Sequence, residues 1–165
     1  MKLDPESEQI REVYARYGLA MYQAQCLERQ VAMLLSLLHA DPTRTTRAEF
    51  NHLLDGLFEQ TLGALVHQMV TPGRVASDLQ TRLKAALDKR NWLAHNYFWE
   101  RAGQFARSDR RDAMIEELQD LAAMFDALDS ELVAICFELS RKAGVTDEIV
   151  AKHLEQIIAN AETEA

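Results

Sequence analysis

Arg90, Asn91, His95 and Tyr97 lie within eight residues near the middle of a 165-residue chain. They follow the order Arg, polar residue, three spacers, His, one spacer, Tyr. An imidazole titrates near pH 6.5 and can act as base or acid at neutral pH. A guanidinium is always charged and carries five donors, so it seeks a carboxylate or a phosphate. Read as a helix, the segment carries an apolar stripe at Val75, Leu79, Leu83, Ala86, Leu93 and Tyr97, and Arg90 falls on that stripe. A charge aimed at an apolar interface demands a partner. At about 100° per residue, Asn91 and His95 share nearly one face, whereas Arg90 sits roughly 140° from His95. The pair can meet if Arg90 reaches around, if the helix frays, or if two copies of the segment come together. The third route carries most weight, because one His and one Arg per chain are few for acid–base chemistry.

Arg90-Asn91-x-x-x-His95 resembles the R-polar-x-x-x-H signature of HEPN domains, and the added Tyr97 resembles the R-x4-H-x-Y form found in toxins paired with a nucleotidyltransferase antitoxin. The motif covers Arg90 to Tyr97, and the architectural likeness the span from Glu8 to Ala143. The resemblance implies an all-helical protein that cleaves RNA without a metal or other cofactor, as a homodimer whose cleft lies on a two-fold axis. In that reading His95 is the acid–base and Arg90 clamps the phosphate and stabilises developing charge. Asn91 orients the imidazole or binds phosphate, and the flanking Lys89 and Arg101 support substrate binding. Tyr97 contacts substrate, and is by resemblance the site where a partner nucleotidyltransferase attaches a nucleotide.

Each residue also has a structural reading. Arg90 can pair with a buried carboxylate such as Asp55 or Glu117, and His95 can be a hydrogen-bonded core histidine. Trp92, Phe98 and Trp99 suit core or dimer contacts, although exposed aromatics beside basic residues also stack unpaired bases. His39, His52, His67 and His153 are scattered over different helices, and no His-x3-His or Glu-x-x-His pair shares a helix face, so no metal site is expected. There is no Gly-rich phosphate loop, no G-x-S-x-G elbow and no HExxH. Two non-enzymatic alternatives follow: a helical module of the same fold that binds a nucleotide or protein partner through its long first helix, or a plain interaction protein in which Arg90 closes an internal salt bridge.

The formal net charge of -8 argues against generic coating of nucleic acid. Its distribution is uneven: Arg74 to Arg111 holds 9 Lys+Arg against 4 Asp+Glu, so this window is net basic in an acidic chain. Cys26 and Cys136 show no CxxC and no zinc spacing, which suits reduced thiols with packing roles in a cytoplasmic protein. The N-terminus lacks the apolar core of a signal peptide, and Val31 to Leu38 is far shorter than the ~20 residues of a membrane span.

The elements that must position the motif follow from 6 Gly, 3 Pro and 48% hydrophobic residues, which favour long helices. Heptad steps at Ile10, Tyr17, Ala24, Val31 and Leu38, with Val13, Ala20, Leu27 and Leu34 offset by three, predict a helix from about Glu8 to His39. Asp41-Pro42 ends it. Thr46-Arg47-Ala48-Glu49 reads as a capping box opening a second helix that runs to Pro72-Gly73, with Gly56 and Gly63 as candidates for a kink or for the close approach of another helix. A third helix, with Ser77 or Asp78 as its cap, fades around Arg101 to Gly103. A fourth carries the seam Met114, Leu118, Leu121, Phe125, Leu128, Leu132, Ile135 and Leu139, with Gly144 at its C′ position. A fifth spans Ile149 to about Asn160, and the tail beyond it frays. The expectation is one all-α domain: an antiparallel up-and-down four-helix bundle over about 8–143 with an appended C-terminal helix over about 147–160.

Overall fold

The structure is a computed structural model that describes residues 4–70 and 74–163. The described chain is helical and contains no strand: α1 (Pro5–His39), α2 (Arg47–Phe58), α3 (Leu62–Met69), α4 (Ser77–His95), the single turns α5 (Tyr97–Glu100) and α6 (Ala102–Phe105), α7 (Ser108–Lys142) and α8 (Asp147–Thr163). The expected stop at Pro72-Gly73 and the last residues of the expected tail lie outside the described residues. None of these helices is long and apolar enough to cross a membrane.

The caps explain the boundaries. Asp4 accepts from the Ser7 amide at 3.1 Å, and Pro5 occupies the first turn, where a missing N–H costs nothing. Thr46 and Glu49 form the reciprocal capping box expected from the sequence. Gly144 adopts φ 87°, the left-handed geometry that glycine reaches without Cβ strain, and it ends α7.

The middle of both seams is buried as the heptad spacing predicts, while Ile10, Tyr17, Leu38, Ile135 and Leu139 are half-buried. Val13, Ala20, Ala24, Leu27, Val31 and Leu34 of α1 meet Met114, Leu118, Leu121, Phe125, Leu128 and Leu132 of α7 in one core, and this is the most extensive helix pairing in the molecule. Each fully buried Leu or Phe contributes roughly 1.5–3 kcal/mol. Among the described residues, no side chain of α8 joins that core.

Helix direction differs from the expectation. Along α1 and α7, Glu6 meets Arg111, Gln9 meets Asp112 and Gln30 meets Cys136, so these two helices run parallel. An up-and-down bundle of four would have made them antiparallel. The cause is a break at Glu59–Thr61, where Thr61 caps α3 by accepting from the Ala64 amide at 3.3 Å. Arg29 covers the Phe58 ring at 4.5 Å, and Arg74 meets His39 at 2.6 Å. Hence α2 descends beside the end of α1 and α3 climbs back. That hairpin sets α4 antiparallel to both α1 and α7, as the pairs Arg90 with Glu28, Tyr17 with Leu93, Arg82 with Glu131 and Arg101 with Glu117 record. The expected kink residues Gly56 and Gly63 lie inside α2 and α3 rather than at the break.

Candidate functional site

Leu79, Leu83, Ala86 and Leu93 anchor α4 in the core. The expected third helix is not continuous through the motif. It stops at His95, and Asn96 (φ -124°, ψ -20°) separates it from α5. Three residues back from Asn96, the Leu93 carbonyl accepts the Tyr17 hydroxyl at 3.1 Å, which ties the end of α4 to α1. The turn that follows is held by an aromatic cluster in which Tyr97 meets Trp92 edge-on at 5.1 Å, with Phe98 and Tyr17 beside it.

His95 and Asn91 are both exposed, one helical turn apart on the outer side of α4. His95 is therefore not a core histidine. Arg90 lies between exposed face and core, with 28% of its side chain accessible. Its Nη1 donates to Asn91 Oδ1 at 3.2 Å and its Nη2 to Glu28 Oε2 of α1 at 3.3 Å. The expected carboxylates are not its partners: Glu117 is held by Arg101, and Asp55 is exposed.

The manner of pairing separates Arg90 from its neighbours. Arg101 grips both oxygens of Glu117 at 2.9 and 2.7 Å, and Arg82 grips both oxygens of Glu131 while also reaching Asp78. Arg90 has one carboxylate oxygen, at a longer distance. Two-pronged guanidinium–carboxylate pairs are the strong geometry, so Arg90 is the arginine of this set most readily transferred to an incoming phosphate.

Two expected roles change. Tyr97 is 1% exposed, and its hydroxyl donates to the Met114 carbonyl at 3.4 Å. Burial, reinforced by the nearby Glu117, pushes its phenol well above the ordinary tyrosine range. The hydroxyl thus faces the interior of the fold and not the exposed side that bears His95: Tyr97 falls on the apolar stripe and packs with it. Arg101 is committed to Glu117 and lies over the Trp92 ring at 5.0 Å, so it braces the motif rather than presenting free charge. Lys89 is exposed, 5.5 Å from the same ring, in an open hollow lined by Glu116, Glu117 and Asp120.

The basic window is also largely neutralised. Arg82, Arg90, Arg101, Arg107, Arg110 and Arg111 all pair with carboxylates. Arg111 is buried between the Phe105 carbonyl, Gln9 and Glu6, where it fastens α7 to α1. Lys84, Lys89 and Arg74 form no ion pair among the described residues.

Sequence reasoning missed three participants. Glu28 looked like one acid among many on a long helix. Tyr17 read only as a heptad apolar residue. A cavity of about 230 Å³ beside Glu28, lined by Gln25, Arg29, Ala32, Phe58, Gln60 and Leu65, exists only because α2 turns back at Glu59–Thr61. Among the described residues, no group of three or more His, Cys, Asp or Glu side chains is arranged to hold a metal.

Comparison of the chain with protein-family models, with curated proteins and with solved structures finds no match in any of the three, so the HEPN likeness rests on the Arg90–His95 spacing and the helical frame that carries it.

Proposed function

We propose that this protein is a metal-independent endoribonuclease of HEPN-like design, acting as a homodimer in which α1, the α2–α3 hairpin, α4 and α7 form the helical unit and α8 is an appendage. The observation that carries the reading is the pairing of an exposed His95 and Asn91 with an Arg90 held by a single carboxylate oxygen. His95 takes the proton of a ribose 2′-hydroxyl, whose oxygen attacks the adjacent phosphorus. The bond to the 5′-oxygen breaks, that oxygen is protonated, and a 2′,3′-cyclic phosphate remains. Arg90 leaves Glu28 for the phosphate and stabilises the charge that builds on it. A second copy brings its His95 to the Arg90 of the first, because Arg90 and His95 of one chain point about 140° apart on α4.

A second reading is favoured by a specific observation: six of the nine basic side chains in the 74–111 window are already neutralised. That suits a non-catalytic helical module whose partner is a protein or a nucleotide.

The test is incubation of purified protein with labelled single-stranded and transfer RNAs in chelator. Cleavage leaving 2′,3′-cyclic ends, absent from His95→Ala and Arg90→Ala, is the expected result. Intact RNA with a folded dimer selects the second reading.

A further inference from the structure

The cavity beside Glu28 has a layout that the motif does not account for. Its floor is apolar, from Ala32 and Leu65. One wall is Phe58, with the Arg29 guanidinium stacked over it at 4.5 Å. Its rim holds two amides, Gln25 on α1 and Gln60 at the α2–α3 turn. The Gln60 carbonyl oxygen accepts from Gln68 Nε2 at 2.6 Å, which fixes that amide so that its own N–H₂ is left to donate. Gln25 is exposed and free to present donor and acceptor together. Glu28 joins cavity to motif: it lines the pocket and also accepts from Arg90, which bonds Asn91, one turn from His95. A continuous line of contacts therefore runs from the cavity to the face that bears His95.

We infer that this cavity is a subsite for a nucleobase, seating the base of a nucleotide whose phosphate lies on Arg90. The volume is below the 300–1,000 Å³ typical of pockets for drug-sized ligands, and suits a single ring system rather than a whole cofactor. A planar heterocycle is matched by the aromatic and guanidinium faces for stacking, and its polar edge by the two amides, which read donor and acceptor patterns as Asn and Gln side chains do at base edges. The anionic end of the ligand replaces Glu28 on Arg90. The inference rests on the nuclease reading for its source of nucleotide, since the same chemistry is offered by an RNA chain and by a free mononucleotide.

The experiment is an NMR titration of ¹⁵N-labelled protein carrying His95→Ala, so that RNA stays intact. The ligands are the four nucleoside monophosphates, ribose 5-phosphate, inorganic phosphate and short single-stranded RNAs. The expected result is base-dependent perturbation of Gln25, Arg29 and Gln60 at millimolar ligand. Gln25→Ala should weaken binding several-fold, and adding Gln60→Ala about tenfold, from the loss of their hydrogen bonds. Gln25→Ala lies on an exposed helix face and favours helix, so it keeps the test clear of misfolding. Equal response to ribose 5-phosphate or inorganic phosphate, perturbations elsewhere, or no response to any nucleotide overturns the subsite. RNA that binds more tightly than mononucleotides, through both Arg90 and Gln25, identifies a nuclease subsite. Mononucleotides that bind as tightly as RNA, with no cleavage by the native sequence, keep the subsite and remove the nuclease. Cleavage that persists while Gln25→Ala changes nothing does the reverse.

Discussion

At the scale of single residues, exposure separates the side chains open to a ligand from those that hold the helix. His95 is exposed, so His95→Ala should leave thermal stability within about 0.5 kcal/mol while removing cleavage; melting curves beside the RNA assay check both halves. Tyr97 should behave in the opposite way. Tyr97→Phe keeps the ring cluster and loses one hydrogen bond to Met114, for about 1 kcal/mol, with cleavage retained. Tyr97→Ala opens a cavity under Trp92 and should cost about 3–5 kcal/mol in denaturant unfolding. Full loss of cleavage in a stably folded Tyr97→Phe protein would return that hydroxyl to the chemistry. His39 gives a test by pH. Partial burial and then the Arg74 charge lower its pKa below the ordinary 6.5, consistent with a neutral ring that accepts from Arg74. A depressed pKa means that the contribution to stability is present above about 6.5 and is lost as pH falls through the lowered value. The His39 ring protons should therefore titrate at lower pH than in the unfolded chain, and Arg74→Ala should move that midpoint upward.

At the scale of elements, the decisive feature is the reversal at Glu59–Thr61. Thr61 is the cap that starts α3, and Thr61→Ala should destabilise the protein by about 1 kcal/mol, read as a lower denaturant midpoint with unchanged slope. The same lesion should disturb the cavity, whose Phe58 and Gln60 stand on that turn. The break was hard to read because apolar residues continue at helical spacing across it, from Leu57 and Phe58 to Leu62, Leu65, Val66 and Met69. Periodicity cannot distinguish one long helix from two short ones whose apolar faces happen to stay in phase. The one local signal of the break is Thr61, a good N-cap residue, set between Gly56 and Gly63. Asn96 poses the same problem at the motif: α4 ends there without Pro or Gly, and its last turn is tied down by Tyr17, which is 76 residues along the chain from the Leu93 carbonyl it bonds.

At the scale of the molecule, the question is whether two copies build one site. Tyr14, Leu19 and Tyr22 of α1 and Trp99 of α5 are large apolar side chains left exposed, Trp99 at 86%. If the working cleft combines Arg90 of one copy with His95 of another, subunits bearing Arg90→Ala and subunits bearing His95→Ala are each inactive, yet mixed dimers hold one complete site. Co-refolding the two variants should restore cleavage that neither shows alone. Activity that stays absent in verified mixed dimers would place both residues in a single-chain site or outside the chemistry.

The sequence by itself determined the all-helical class, the C-terminal ends of α1 and α7, the Thr46–Glu49 capping box and the left-handed glycine at Gly144. These are local matters: heptad spacing, cap chemistry and backbone freedom act over a few residues, so a few residues reveal them. The tertiary structure alone decided that α1 and α7 run parallel, that Tyr97 belongs to the core, that Glu28 rather than Asp55 or Glu117 is the partner of Arg90, and that a cavity adjoins that pair. Each of those depends on the direction in which one helix passes another. That direction was set by the three-residue turn Glu59–Thr61, which has no periodic signature.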